Sequence, residues 1–340
     1  MQQRNGGKKN MKCKLDILLW AESGWGKTSQ IFNLAEYLYS TEGLKTRLIS
    51  NSGGGWAVGQ ALVDLGVVIP THLEQRPHTQ EAISRLVDGW WPKDSSDPHS
   101  PLQPPPPTKA QLAGKYRNFS GEFQSQSDWD EIGLYAFDSM SEIADKLKRH
   151  LRDMGANRKT VASDSEKSMT RYKDGDTYFG STTRGTYGTV QDYMKDFVAR
   201  SQALSNKYVI WTALPHIGEE EQTRNAIYGP EVVGKAKTDA AKAWCSNCLH
   251  GDLEEVTEGT KRTTQRRLWL KPHYDAFGTK MVAKNSANFW SQTEIPDCLS
   301  GKDLQFEIDQ PSGLVKFINL LRDAQRVAEK KIAAIKQKGA

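Results

Sequence analysis

The segment Ala21-Glu22-Ser23-Gly24-Trp25-Gly26-Lys27-Thr28 constrains this chain more than any other. Ahead of it Leu15–Trp20 is mostly apolar, and behind it Ile31, Leu34, Ala35 and Leu38 recur at helical spacing, so the order is strand, loop, helix. The loop fits the phosphate-binding pattern G-x-x-x-x-G-K-[ST] at every fixed position but the first, where Ala21 stands for glycine. Small residues let successive backbone N–H groups wrap a phosphate, and a helix starting at Lys27 points the positive end of its dipole at the same anion. Ser23, Gly24, Trp25, Gly26, Lys27, Thr28 and Ser29 are then the nucleotide-holding residues. Lys27 reaches the β- and γ-phosphates, and the Thr28 hydroxyl takes a place on Mg²⁺. The expected ligands are ATP and Mg²⁺.

The rest of the chain repeats the same alternation. Leu44–Ser50 reads as a second strand ended by Gly53, Gly54 and Gly55, and Gly59–Leu65 as a short helix, which begins a βαβ unit with parallel strands. Ile132–Phe137 is a third strand running into Asp138, followed by an amphipathic helix over Ser141–Met154. Tyr187–Leu204 reads as a helix, Tyr208–Leu214 as an apolar strand, His216–Lys237 as a charged loop, and Trp244–Asp252 with Gln265–Pro272 as a hairpin. Ser312 caps a last helix with Leu314, Phe317, Leu320, Leu321, Ala324, Val327 and Ala328 on one face. The fold class is therefore α/β, with a mostly parallel central sheet flanked by helices. Residues 1–13 form a basic arm, 14–300 the core and 301–340 a helical tail. Seven of the 14 prolines fall within Pro92–Pro107, so 92–127 is expected to be a surface insertion without packed elements.

Composition excludes several classes. The longest apolar run, Ile17–Ala21, is far short of the ~20 residues of a membrane span, and the first residues lack the apolar region of a secretory signal. Four cysteines in 340 residues make no disulfide framework, so a reducing cytoplasm is expected. Cys245-x-x-Cys248 with His250 has the beginning of a zinc set but no second pair, and the alternation around it fits cysteines on a strand. Trp20, Trp211 and Trp269 fall on expected strands and read as core.

A phosphate loop needs a carboxylate at a neighbouring strand end to hold Mg²⁺ through its water shell, and Asp138 in Tyr135-Ala136-Phe137-Asp138-Ser139 is the candidate. After the strand Tyr208–Leu214, His216 is either a sensor of the γ-phosphate or a surface histidine. Lys27, Asp138 and His216 are the expected catalytic set, and Thr28 with Asp138 the Mg²⁺ set.

With these strand ends in order, the chain resembles the RecA-like P-loop ATPases, and among them the short phage nucleotide-binding and single-strand annealing ATPases with a RecA core. The similarity runs from about Lys14 to Asn288 and includes Tyr187-Gly188, Tyr228-Gly229-Pro230, Gly234-Lys235 and Ala283-Lys284-Asn285. It implies ATP-dependent binding of single-stranded DNA in recombination or replication, as a homo-oligomeric ring or filament in the host cytoplasm, beside other phage proteins of those processes. Two departures stand out. Asn51-Ser52-Gly53 occupies the second strand end, where such enzymes place a catalytic glutamate, leaving Glu22 or Glu219–Glu221 as alternatives. Ala283-Lys284-Asn285-Ser286 lacks the arginine expected after the asparagine, leaving Lys235 or Lys284 as the cation.

The net charge of +5 does not by itself demand a nucleic-acid partner. Residues 149–187, however, carry eight Lys and Arg against five acids, interleaved with Tyr172, Tyr178, Phe179 and Tyr187. Basic groups that follow phosphates and rings that stack on bases suit a single strand, with Arg158, Lys159, Arg171, Tyr172, Lys173 and Tyr178 as contacts. A solvated loop is the plainer reading of the same residues. The functions left open are a DNA-directed ATPase, a nucleotide-switched assembly protein of a phage complex with little hydrolysis, and a motor for DNA packaging or unwinding.

Overall fold

A computed structural model describes residues 14–50, 57–72, 91–92, 102–103, 116–117, 123–124, 131–157, 171–174, 177–180, 184–202, 207–219, 226–231, 241, 243–258, 261–306 and 311–338. In chain order the first strands are β1 (Leu15–Ala21), β2 (Lys45–Ser50) and β3 (Val68–His72), with helices α1 (Lys27–Glu42) and α2 (Gln60–Asp64). Two short antiparallel ladders follow, β4 (Trp91–Pro92) with β5 (Leu102–Gln103) and β6 (Tyr116–Arg117) with β7 (Phe123–Gln124). Next come β8 (Ile132–Asp138), α3 (Met140–Asn157), the hairpin β9 (Arg171–Asp174) and β10 (Thr177–Gly180), α4 (Arg184–Gln202), β11 (Tyr208–Ala213), β12 (Pro215–Glu219) and β13 (Ala226–Pro230). The chain ends with β14 (Asn247–Glu258), β15 (Lys261–Trp269), β16 (His273–Tyr274), β17 (Lys280–Met281), β18 (Cys298–Ser300) and α5 (Gly313–Lys338).

The central sheet has eight strands in the order β18-β15-β14-β1-β11-β8-β2-β3. From β14 to β3 every neighbour is parallel, and β15 and β18 add an antiparallel edge. This is the α/β class expected from the sequence. Its cause is visible in β1: a parallel strand covered on both faces must be largely apolar, and side chains alternate between the faces. Leu18 and Trp20 join α3 and α4 through Met140, Ile143, Leu147, Met194 and Phe197. Ile17, Leu19 and Ala21 join α1 and α5 through Ile31, Leu34, Leu38, Leu314 and Phe317. Each such large apolar side chain contributes roughly 1.5–3 kcal/mol by leaving water.

Several expectations are corrected. His216–Lys237 is not simply a charged loop, because β12 and β13 pair antiparallel within it and join β17 and β16 in a second, four-stranded sheet. The polar segment after α3 contains the β9–β10 hairpin, α3 continues to Asn157, and α4 starts at Arg184. Within 92–127 the short ladders supply paired backbone where no element was expected. The expected hairpin of β14 and β15 is present, but β14 also joins β1 in parallel, which brings the hairpin against the loop at the end of β1. Helix α5 packs its first turns on α1: Gln30 accepts the Leu314 N–H at 3.0 Å, and Asn33 donates to the Ser312 hydroxyl at 3.2 Å. Among the described residues no helix is long and apolar enough to cross a membrane.

Candidate functional site

Strand β1 delivers the chain to the C-terminal end of the parallel strands at Ala21, and α1 begins at Lys27, so residues 22–26 turn through a tight loop. Gly24 (φ 81°) and Gly26 (φ 108°) lie in the left-handed region, where a Cβ costs roughly 1–2 kcal/mol. The Lys27 ammonium folds back over the loop and donates to the carbonyls of Ala21 (2.7 Å) and Glu22 (3.0 Å). Burial lowers the Lys27 pKa, against the opposing pull of the Asp138, Glu22 and Glu142 carboxylates. Each of the loop's fixed residues thus has a structural counterpart: glycines that permit the turn, a lysine that crosses it, and Thr28 one residue into the helix.

Thr28 meets Asp138. Its hydroxyl donates to Asp138 Oδ2 at 2.7 Å, and from β11, the strand between β1 and β8, the buried Thr212 hydroxyl donates to Oδ1 at 2.5 Å. The start of α1 and the neighbouring strand β11 therefore converge on one carboxylate at the end of β8. The donor set is hydroxyl and carboxylate oxygen beside a lysine ammonium and loop amides, which fits a hard divalent cation bridged to phosphate oxygens. Thr212 was not singled out from the sequence, although a hydroxyl at the end of an otherwise apolar strand was its signal.

Other sequence candidates fare differently. The Trp25 ring is not free to meet a ligand: it is 1% exposed, donates from Nε1 to the Asp252 carbonyl at 2.8 Å and lies against Gly251, where a Cβ would come within 2.4 Å of the ring. Only its main chain remains with the loop. Ser23 is exposed and Ser29 half-buried. His216 sits on β12 opposite Gly229, with Nε2 buried and, among the described residues, without a hydrogen bond. The next pair of the ladder sets Ile217 opposite Tyr228, whose hydroxyl donates to Glu22 in the loop. Of the proposed DNA contacts, Arg158 and Lys159 lie outside the described residues, while Arg171, Tyr172 and Lys173 lie on β9 and Tyr178 on β10, directly opposite Lys173. Asn51 and Lys235 also lie outside the described residues, and Lys284 is engaged through its backbone in a two-way bridge with Cys248.

Two residues near the loop escaped the sequence reading. Arg266, on β15, donates from Nε to the Trp25 carbonyl at 2.7 Å, so the arginine beside this loop comes from the hairpin and not from the segment after Ala283. Glu142 lies in the first turn of α3, with its N–H donating to the Ser139 hydroxyl at 3.3 Å. Its pKa is raised, first by burial and then by the Asp138 charge. Neither was legible beforehand, because Arg266 is remote in sequence and Glu142 reads as an ordinary acidic residue of a helix start.

Beside the loop, a row of rings crosses the small sheet and the hairpin. Trp20 stacks on His250 at 3.8 Å, His250 Nδ1 lies 3.3 Å from His273 Nε2, and His273 stacks on Trp269 at 3.8 Å. Burial, with the neighbouring His273 second, pushes the His250 pKa down to about 3. Cys245 and Cys248 are buried in the apolar layer around Trp20. Among the described residues no group of three or more His, Cys, Asp or Glu could hold a metal ion.

No family model matches this chain, and no curated protein matches it. Among solved structures it is similar to the crystal structure of the RadB recombinase, at 11% sequence identity and a TM-score of 0.37, over 76% of this chain and 81% of that one.

Proposed function

We propose that this protein binds Mg-ATP in the loop after β1 and uses the nucleotide to act on single-stranded DNA as a homo-oligomer, in phage recombination or replication. The observation that carries the nucleotide reading is the convergence of Thr28 and Asp138 at 2.7 Å beside a lysine that already crosses the loop. In this reading the loop amides and Lys27 hold the β- and γ-phosphates. Thr28 and Asp138 hold Mg²⁺, which when bound neutralises phosphate charge. His216 reports the γ-phosphate to the β12–β13 ladder, which is tied back to the loop through Tyr228 and Glu22.

The DNA reading rests on the basic and aromatic composition of 149–187 and on the register that sets Lys173 opposite Tyr178. Changing Arg158, Lys159, Arg171 and Lys173 together to alanine is expected to flatten the slope of log affinity for single-stranded DNA against log salt by up to ~3, at ~0.7 per lost phosphate contact. Changing Tyr172 and Tyr178 to alanine is expected to weaken binding by ~1–3 kcal/mol per stacked base and leave that slope unchanged. Wild-type DNA binding in both variants, measured by fluorescence anisotropy across a salt series, contradicts this part of the reading. A second reading, a nucleotide-switched assembly protein with little turnover, draws on Asn51 standing where the family places its glutamate.

A further inference from the structure

Three carboxylates act electrostatically on Lys27: Asp138, Glu22 and Glu142. Two of them are committed. Asp138 has one oxygen on Thr28 and the other on Thr212, and Glu22, which is exposed, receives the Tyr228 hydroxyl. Glu142 is different: its Oε2 is buried and accepts no hydrogen bond among the described residues. A buried carboxylate oxygen without a donor destabilises the fold that holds it, so a residue selected only for the fold would be paired or apolar here. Its place is also fixed. The first turn of α3 follows directly on the Asp138 strand end, the Ser139 hydroxyl holds the Glu142 N–H, and Ser141 Oγ ties the same turn to the Leu214 N–H and the Glu231 carbonyl, each at 2.9 Å.

We propose that Glu142 is the carboxylate that orients the attacking water in ATP hydrolysis and takes up its proton, standing in for the strand-end glutamate that Asn51 replaces. The inference rests on the nucleotide reading above. The water oxygen forms a bond to the γ-phosphorus as the bond from that phosphorus to the β,γ-bridging oxygen breaks. One water proton passes to the Glu142 carboxylate, the bond electrons leave with ADP, and the proton then returns to solvent or to the released phosphate. Nothing is oxidised or reduced. Turnover therefore needs no carboxylate from a neighbouring copy of the chain.

The test compares wild type, Glu142→Gln and Glu142→Asp in three measurements: Mg-ATP affinity by titration with a fluorescent ATP analogue, single-turnover hydrolysis with and without single-stranded DNA, and melting temperature without nucleotide. Glu142→Gln is expected to bind Mg-ATP within threefold of wild type and to melt no lower, while hydrolysis falls at least tenfold, in line with the ~10²–10⁴ typical of a general base. Bound nucleotide recovered from that variant is then still ATP. Glu142→Asp, which keeps the carboxylate on a shorter stem, is expected to hydrolyse faster than Glu142→Gln. A fall smaller than tenfold overturns the proposal, as does a more than threefold loss of affinity or a lower melting temperature in both variants, which makes the residue a structural one. Wild type that binds ATP without hydrolysing it overturns the role of Glu142 and leaves the nucleotide reading standing. Wild type that does not bind ATP overturns both.

Discussion

The two ends of β1 are built to opposite electrostatic plans. At its start, Glu42 from α1 receives Lys14 at 3.2 Å and Arg322 of α5 at 2.9 Å, and Arg322 also donates to the Tyr208 hydroxyl at 2.5 Å. Cations and carboxylate there satisfy one another along a groove of ≈ 590 Å³ lined by Lys14, Tyr208 and Arg322. At the other end, among the described residues, Lys27 donates only to carbonyls, Glu142 keeps an unpartnered oxygen, and Asp138 gathers hydroxyls in place of a cation. A strand end that serves the fold closes its charges. The end proposed to hold the nucleotide leaves them open.

The sharpest way to break this contrast is at Asp138. Asp138→Asn keeps the shape of the group but removes its charge, so nucleotide binding is expected to survive in weakened form while the Mg²⁺ dependence of affinity, tenfold or more in wild type, falls to less than twofold. Titrations with Mg²⁺ and with EDTA check this, and an undiminished Mg²⁺ dependence returns Asp138 to an ordinary strand end.

The next test separates the two ends by pH. His250 beside the loop has its folded pKa at about 3, against 6.5 for the free side chain. Below 6.5 the unfolded chain takes up a proton that the folded chain refuses, so stability is present at neutral pH and falls by ~1.4 kcal/mol per unit until the folded pKa is reached. From pH 7 to pH 5 the loss is about 2 kcal/mol, and His250→Phe, which retains a ring for Trp20 to stack on, is expected to remove most of it in urea unfolding at the two pH values.

Glu42 titrates in a different window. Burial would raise its carboxyl, but the hydrogen bonds and charges of Arg322 and Lys14 outweigh that and hold it below the usual value. Its contribution is therefore full above the ordinary glutamate range and is lost only as pH falls through the lowered value. Glu42→Gln is expected to cost about 1 kcal/mol, since both ion pairs are partly exposed, and to leave nucleotide affinity unchanged. A change in affinity would show that the two ends of β1 are not independent.

What the sequence disclosed follows the same division. The apolar run of β1, the glycines of the loop, the helical spacing of α1 and the strand running into Asp138 are local patterns, and the parallel sheet follows from them. The charged span after His216 concealed β12 and β13: they pair with each other, but the strand that extends their sheet, β17, pairs with β13 from far along the sequence and carries β16 on its other side. Arg266 was hidden for the same reason, since only the parallel pairing of β14 with β1 brings β15 to the loop. Trp25 shows the converse: its backbone belongs to a local motif, while its ring answers to Gly251 and Asp252 across the sheet.

The central claim, that the open end of β1 is a nucleotide site, is tested most directly by calorimetric titration of ATP with Mg²⁺ into wild type and Lys27→Ala. Lys27 is the cation of the loop, and its removal leaves the core untouched. Saturable binding by wild type and none detectable by the variant, at an unchanged melting temperature, is the predicted result. Equal affinity in the two proteins, or no binding by wild type, contradicts the account.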